Sequence, residues 1–241
     1  MDNYLFPYLL LMAHMVSGAL WLIRINRSLD PLESRRQWTK YITYVLIVNL
    51  LWFCILYSQL VFILLGIGLI VLASLEWWRA VHKLKGKLWF ILTFALVLAG
   101  FWRFLYLEQR LLLYTWFVIV LFDGSSQIAG QVAGKRKLLP RISPNKTLEG
   151  LAGGVIITSG TTVLVRSHFS FSWLELILIT VFIMASAFLG DLLASAMKRK
   201  AGLDNFGRII PGHGGVLDRF DSFIMTGAFL FLASIIISLA G

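Results

Sequence analysis

Eight apolar runs follow one another along this 241-residue chain, each close to the roughly 20 residues that a helix needs to cross a bilayer. They lie at about Tyr4–Ile23, Tyr41–Tyr57, Leu60–Trp78, Leu88–Leu105, Leu111–Ile128, Leu148–Val165, Trp173–Met197 and Phe223–Ala240. In hydrocarbon every backbone N–H and C=O must find a partner within the protein, and helices do this segment by segment. Composition agrees: 59% of residues are hydrophobic, 14% are charged and the mean hydropathy is +0.81. A water-soluble domain of this length has too little interior to hide so much apolar surface. The predicted fold is all-α, a single polytopic integral membrane domain over residues 1–241 with about eight transmembrane helices. The start, Met1-Asp2-Asn3, lacks the basic region of a cleavable signal, so the first run is expected to stay as a span.

The formal charge of +10 is distributed unevenly. One set of alternate loops holds Arg24 to Lys40, then Arg79 to Lys87, Lys135 to Lys146 and Lys198 to Arg219. Together these loops carry nineteen of the 22 Lys and Arg, against only Arg103, Arg110 and Arg166 on the other side. The positive-inside rule then puts the basic loops in the cytoplasm and both termini outside it. The basic charge is thereby explained by membrane topology, and no nucleic-acid partner is expected. The single cysteine, Cys54, sits in an apolar run and excludes a disulfide framework or a cysteine metal cluster. His14, His82 and His168 have no neighbouring acids in sequence and read as structural, so zinc is not expected.

The acidic residues are concentrated in the C-terminal half. Asp123, Glu149, Asp191, Asp204, Asp218 and Asp221 fall at or near the cytoplasmic ends of spans, where an acid is costly unless it meets protein, water or a cation. Together they predict a polar cavity facing the cytoplasm. Asp191, Ser195 and Lys198 recur at i, i+4 and i+7, which places them on one helical face. The segment Pro211-Gly212-His213-Gly214-Gly215-Val-Leu-Asp218-Arg219-Phe-Asp221-Ser222 follows. Its glycines suit an anion nest of backbone N–H groups, its aspartates are hard ligands for Mg²⁺, and its arginine is a fork for phosphate oxygens. In the N-terminal half the comparable acid is Glu76, before Trp77-Trp78-Arg79, which reads as a structural helix end at the membrane interface.

These residues resemble the signature of the phosphatidate cytidylyltransferases, the CDP-diacylglycerol synthases. The resemblance rests on His213-Gly214-Gly215-x-x-Asp218-Arg219-x-Asp221 after Ser195-x-x-Lys198-Arg199, and on Ser143-Pro144-Asn145-Lys146-Thr147-Leu148-Glu149-Gly150 upstream. Asp123, Gly130, Gly134 and Lys135-Arg136-Lys137 match the preceding segment, so the specific motifs run from about Asp123 to Ser222. Three departures stand out. Asp204-Asn205 replaces a usual Lys-Asp, Asp123-Gly-Ser-Ser126-Gln127 lacks the family's aromatic residue, and Asn145 and Leu148 replace a frequent Gly and Trp. They bear on the lipid substrate more than on the fold.

The resemblance implies that residues 1–110 are scaffold and lipid-contacting helices and residues 111–241 the catalytic helices and loops. It implies cytidylyl transfer from CTP to phosphatidate or a similar lipid phosphate, with release of pyrophosphate, in a bacterial inner membrane. The implied cofactor is Mg²⁺, alone or with a second cation, held by Asp191 and Asp218 with Asp221 as third or outer ligand. Lys198, Arg199, Lys146 and Arg219 would neutralise phosphates, and Ser143, Thr147 and Ser195 would orient them. Asp123 and Glu149 would bind metal, orient Lys146 or recognise cytosine. His213 would shape the glycine loop or donate to a phosphate, with proton transfer as the lesser alternative. Membrane lipids are partners by necessity, and homodimerisation is implied by the resemblance alone. The rival readings are a polyprenol kinase, a cytidylyltransferase for another lipid phosphate and, further off, an anion transporter. A transporter predicts polar groups at mid-membrane in repeated halves, whereas here they cluster at one side.

Overall fold

The computed structural model describes residues 2–82, 84, 86–212 and 214–240, with the backbone alone of residues 2 and 236–240. Eight long helices make up most of it: α1 (Leu5–Asn26), α2 (Pro31–Tyr57), α3 (Gln59–Val81), α4 (Lys87–Phe104), α5 (Gln109–Ala133), α6 (Leu148–Val165), α7 (Trp173–Lys200) and α8 (Leu217–Ala240). Between α5 and α6 stands one antiparallel hairpin of β1 (Lys137–Leu139) and β2 (Ser143–Thr147), which hydropathy did not foretell. Among the described residues α1 to α7 are each long and apolar enough to cross a membrane, α6 counted with the 3-10 turn Arg166–Phe169 that follows it. The chain is thus an all-α polytopic membrane protein.

The helices outrun their apolar runs where polar residues cap them. α2 starts ten residues before Tyr41, because Asp30 Oδ1 accepts from the amides of Leu32 at 2.8 Å and Glu33 at 2.9 Å and Pro31 opens the first turn. Ser58, the one residue between α2 and α3, caps α3 by accepting from the Val61 amide at 3.3 Å. α7 continues to Lys200 and ends at Gly202, whose φ of 66° is left-handed. The Leu203 amide donates to the Lys198 carbonyl at 2.8 Å and the Gly202 amide to that of Arg199 at 3.2 Å, the paired bonds of a Schellman stop.

The fold divides into two compact units, Met1–Asn49 with Trp116–Met184 and Leu50–Thr115 with Ala185–Gly241. In the first, every residue of α5 from Trp116 to Phe122 is buried. A helix apolar on all sides can be buried on all sides. Tyr8 donates to Asn49 Oδ1 at 2.7 Å, Tyr44 to the Val120 carbonyl at 3.3 Å, and Trp21 Nε1 to Gln131 Oε1 at 2.8 Å. α6 lies on α5 along Gly150 and Gly154. A Cβ at Gly150 would stand 2.8 Å from the Ser126 carbonyl oxygen, and one at Gly154 3.1 Å from that of Phe122. Small residues one helical turn apart are what let two helix backbones approach so closely. We expect Gly154→Val to cost about 2 kcal/mol by overpacking. The control, Gly160→Val, faces open space. A thermal midpoint in detergent lowered in the first variant only checks this; equal midpoints would refute the seam.

In the second unit α4 and α8 meet at Gly100 and Gly227. A Cβ at Gly100 would stand 3.1 Å from Ala228, and one at Gly227 2.7 Å from the Phe104 ring. α7 crosses α8 at Gly190, where a Cβ would lie 2.7 Å from Met225 Cβ and 3.1 Å from the Asp221 carbonyl oxygen. This crossing brings the polar stripe of α7 to the first turns of α8.

Candidate active site

The first turn of α8 has orphan backbone N–H groups, as every helix start does. Here two of the chain's own carboxylates serve that region. Glu76, at 1% exposure, accepts from the Val216 amide at 2.9 Å and the Leu217 amide at 2.8 Å. Asp218 Oδ2 accepts from the amides of Gly215 and Phe206, each at 2.8 Å. A negative charge at a helix N-terminus is also favoured by the helix dipole. Glu76 therefore does the structural work expected of it, and does so from a buried position. Gly207 and Gly215 lie against its carboxyl group, where any Cβ would collide with it.

Asp218 Oδ1 accepts from Lys198 Nζ at 2.8 Å, with the two side chains 3% and 13% exposed. The ammonium also stands 5.5 Å from the centre of the Phe206 ring, within cation–π reach. On the same face of α7, Ser195 Oγ donates to Asp191 Oδ1 at 3.2 Å, which joins two of the three residues of the stripe. Asp221 Oδ1 accepts from the Ser222 amide at 2.7 Å. Arg199 pairs with Asp204 at 3.0 Å, an exposed bridge whose acid is 93% exposed. Arg219 is half-buried on α8.

The glycine loop differs from the open nest its composition suggests. Ile210 and Gly214 exchange backbone hydrogen bonds of 2.8 and 3.2 Å, and Gly212 and Gly214 take φ values of 75° and 91° that a side chain would strain. The amides of residues 214 to 217 thus go to the Ile210 carbonyl, Asp218 and Glu76. The reason is physical: two carboxylates buried beside this loop need donors, and adjacent amides are the nearest ones. His213 lies outside the described residues.

In the first unit the chemistry of the upstream motif is local too. Thr147 is buried, and its Oγ1 accepts from the Gly150 amide at 3.1 Å as the cap of α6. Glu149 accepts from the amides of Lys135 at 3.0 Å and Arg136 at 3.1 Å, tying the end of α5 to the start of α6. Gly130 and Gly134 pack against Thr147, a Cβ at either meeting its side chain. Ser143 and Lys146 are half-buried on β2, and Asp123 is exposed on α5. His14 presses on Gly124 and His168 stacks on Phe6 at 5.0 Å, both packing roles.

Among the described residues no three His, Cys, Asp or Glu side chains converge as a ready-made metal site. Mg²⁺ does not require one, since it commonly takes one or two carboxylates and completes its shell with substrate phosphates and water. Asp191, next to Gly190, and Asp221 stand at or beside the close crossing of α7 and α8 and could hold such an ion. Both oxygens of Asp218 are engaged, Oδ1 by Lys198 and Oδ2 by the amides of Phe206 and Gly215.

Residues 108–237 match the cytidylyltransferase family. The phosphatidate cytidylyltransferase of Bacillus subtilis (strain 168) is 42% identical over 130 residues, 52% of this chain and 48% of that protein. The phosphatidate cytidylyltransferase of Staphylococcus haemolyticus (strain JCSC1435) is 45% identical over 116 residues, 47% of this chain and 44% of that protein. That of Staphylococcus aureus (strain COL) is 43% identical over 115 residues, with the same two shares. The aligned part is thus about half the length of these curated relatives.

Proposed function

The chain belongs to the cytidylyltransferase family, and we propose that it transfers a cytidylyl group from CTP to phosphatidate, releasing pyrophosphate and forming CDP-diacylglycerol. The observation that carries this reading is the Lys198–Asp218 pair at the α7–α8 junction, in a segment similar to proteins named for that reaction. A lipid phosphate oxygen attacks the α-phosphorus of CTP, a new P–O bond forms, and the bond to the β-phosphate breaks. Both reactants are anions, so catalysis is chiefly positioning and neutralisation of charge. Lys198, buried between a carboxylate and an aromatic ring, is placed to exchange Asp218 Oδ1 for a phosphate oxygen. Arg199 and Arg219 add cations close by in the chain, and Ser195 orients Asp191. Asp191 and Asp221, with Asp218 once Lys198 moves, would hold Mg²⁺, which supplies countercharge to the triphosphate. Lys146 and Arg136, beside the Glu149-anchored start of α6, give the first unit a cationic surface of its own. The one-sided loop charge supports an active side facing the cytoplasm, where CTP resides, in a bacterial inner membrane.

The test is purified protein in detergent with CTP, Mg²⁺ and phosphatidate, following pyrophosphate and liponucleotide together. Transfer of the γ-phosphate to an alcohol with no liponucleotide would replace this reading with a lipid kinase. Asp204-Asn205 offers a second test. Asp204 occupies Arg199, and an exposed pair of this kind is worth up to about 1 kcal/mol, or about fivefold. The double change Asp204→Lys with Asn205→Asp is expected to shift KM for CTP or for the lipid phosphate two- to fivefold. Identical constants would make the departure neutral.

A further inference from the structure

The second unit encloses a cavity of about 480 Å³, inside the roughly 300–1,000 Å³ of small-ligand sites. Its walls come from α3, α4, α7 and α8 and are nearly all apolar, with Trp77, Phe94 and Val97 among them. Trp77 stacks on Phe94 at 4.3 Å between ring centres. Two charged side chains border the space, Lys200 and Asp221, and Gly190 contributes at the α7–α8 crossing. Trp89 belongs to the wall yet is 70% exposed, so the cavity opens on the surface that α4 presents to lipid.

Such walls reject a nucleotide triphosphate, which needs donors and cations along its length. A hydrocarbon chain needs none and gains about fourfold in affinity for each methylene it buries. The polar border supplies the rest of the match. Lys200 Nζ, held 4.6 Å from the Phe90 ring centre, suits an anionic headgroup. Asp221 joins the same space to the carboxylates of the candidate site. A ligand with one end anionic and the other aliphatic fits both parts, and it can enter sideways from the membrane.

We propose that this cavity takes one acyl chain of the lipid phosphate substrate, and that the α4 wall at Thr93 and Val97 sets the acyl length it accepts. The proposal rests on the cytidylyl-transfer reading for the identity of the lipid, and two measurements keep the two apart. First, phosphatidate with brominated acyl chains, added to the protein in detergent, should quench tryptophan fluorescence saturably, and Trp77→Phe together with Trp89→Phe should remove most of the saturable part. Brominated phosphatidylcholine should not reproduce it. Quenching that does not saturate, survives the double change, or is equal for phosphatidylcholine would mean surface lipid only and overturn the assignment. Second, Val97→Trp should lower the ratio of kcat/KM for long-chain over short-chain phosphatidate at least tenfold. Should that variant fail to fold, Val97→Ala should move the ratio toward longer chains. A ratio unmoved in a folded variant overturns the α4 role. If the unaltered chain makes no liponucleotide, the reaction assignment fails, and the quenching alone then decides the occupant.

Discussion

Asp218→Asn is expected to lower turnover at least a thousandfold and to reduce stability as well. In the native arrangement one carboxylate oxygen holds Lys198 and the other holds the amides of Phe206 and Gly215. Asparagine keeps a single acceptor oxygen. If its amide nitrogen faces Lys198, an ammonium with 13% exposure loses its counter-ion; if it faces the loop, two amides meet a donor. Removing one partner of a buried ion pair costs about 3–5 kcal/mol, because the remaining charge is left unmatched. Catalysis loses both the placement of Lys198 and a carboxylate for the cation, and removing even one aligned electrostatic group costs about 10²–10³ in rate. The companion variant Asp218→Asn with Lys198→Met separates the two effects. Its thermal midpoint should recover part of the loss, since no charge is stranded, while its activity should not. The coupling between the two positions gives the strength of the pair. Near-normal turnover in Asp218→Asn would remove Asp218 from the reaction.

Much of this architecture could be read from hydropathy, because a membrane span has few ways to look other than apolar for some twenty residues. Hydropathy falls short where polar residues extend a helix. α8 begins at Leu217 rather than Phe223, since Asp218 and Glu76 satisfy its first turn, and a hydropathy window discards the very aspartates that start it. α2 likewise begins at Pro31, where Asp30 caps a polar first turn that carries no hydropathy signal. That α5 is buried from Leu112 to Phe122 while α4 is largely exposed could not be told from composition. Lipid and protein interior are equally apolar, so hydropathy does not separate the two environments. The site shows the same division. The i, i+4, i+7 stripe of Asp191, Ser195 and Lys198 was evident in the spacing, and the Ser195–Asp191 bond agrees with it. The long-range partners were not evident: Glu76 reaches amides 140 residues away in the chain. The glycines around it look like a phosphate loop by composition, although Gly207 and Gly215 are small so that a carboxylate can fit.

Glu76→Gln is expected to loosen the start of α8 and with it the candidate site, although it changes only one atom. The native carboxylate offers one oxygen to Val216 and the other to Leu217, at 2.9 and 2.8 Å, with the residue 1% exposed. Glutamine keeps one of these acceptors and sets an NH₂ donor against the second amide. Hydrogen bonds to charged groups contribute about 1.5–3 kcal/mol, and a buried amide left without an acceptor adds a desolvation cost, so we expect a loss of about 3 kcal/mol. Glu76→Asp does not restore the contact, because the shorter side chain cannot span to both amides while Gly207 and Gly215 hold their backbones in place. The effect should be local. Hydrogen exchange at the amides of Gly215, Val216 and Leu217 should rise by about two orders of magnitude, the equivalent of that loss, while the buried amides of α5 keep their protection. Turnover should fall with it, since Asp218 lies within the same turn and its orientation depends on the Gly215 amide. A variant with native exchange at Val216 and Leu217 would show that the α8 start is held by something other than Glu76.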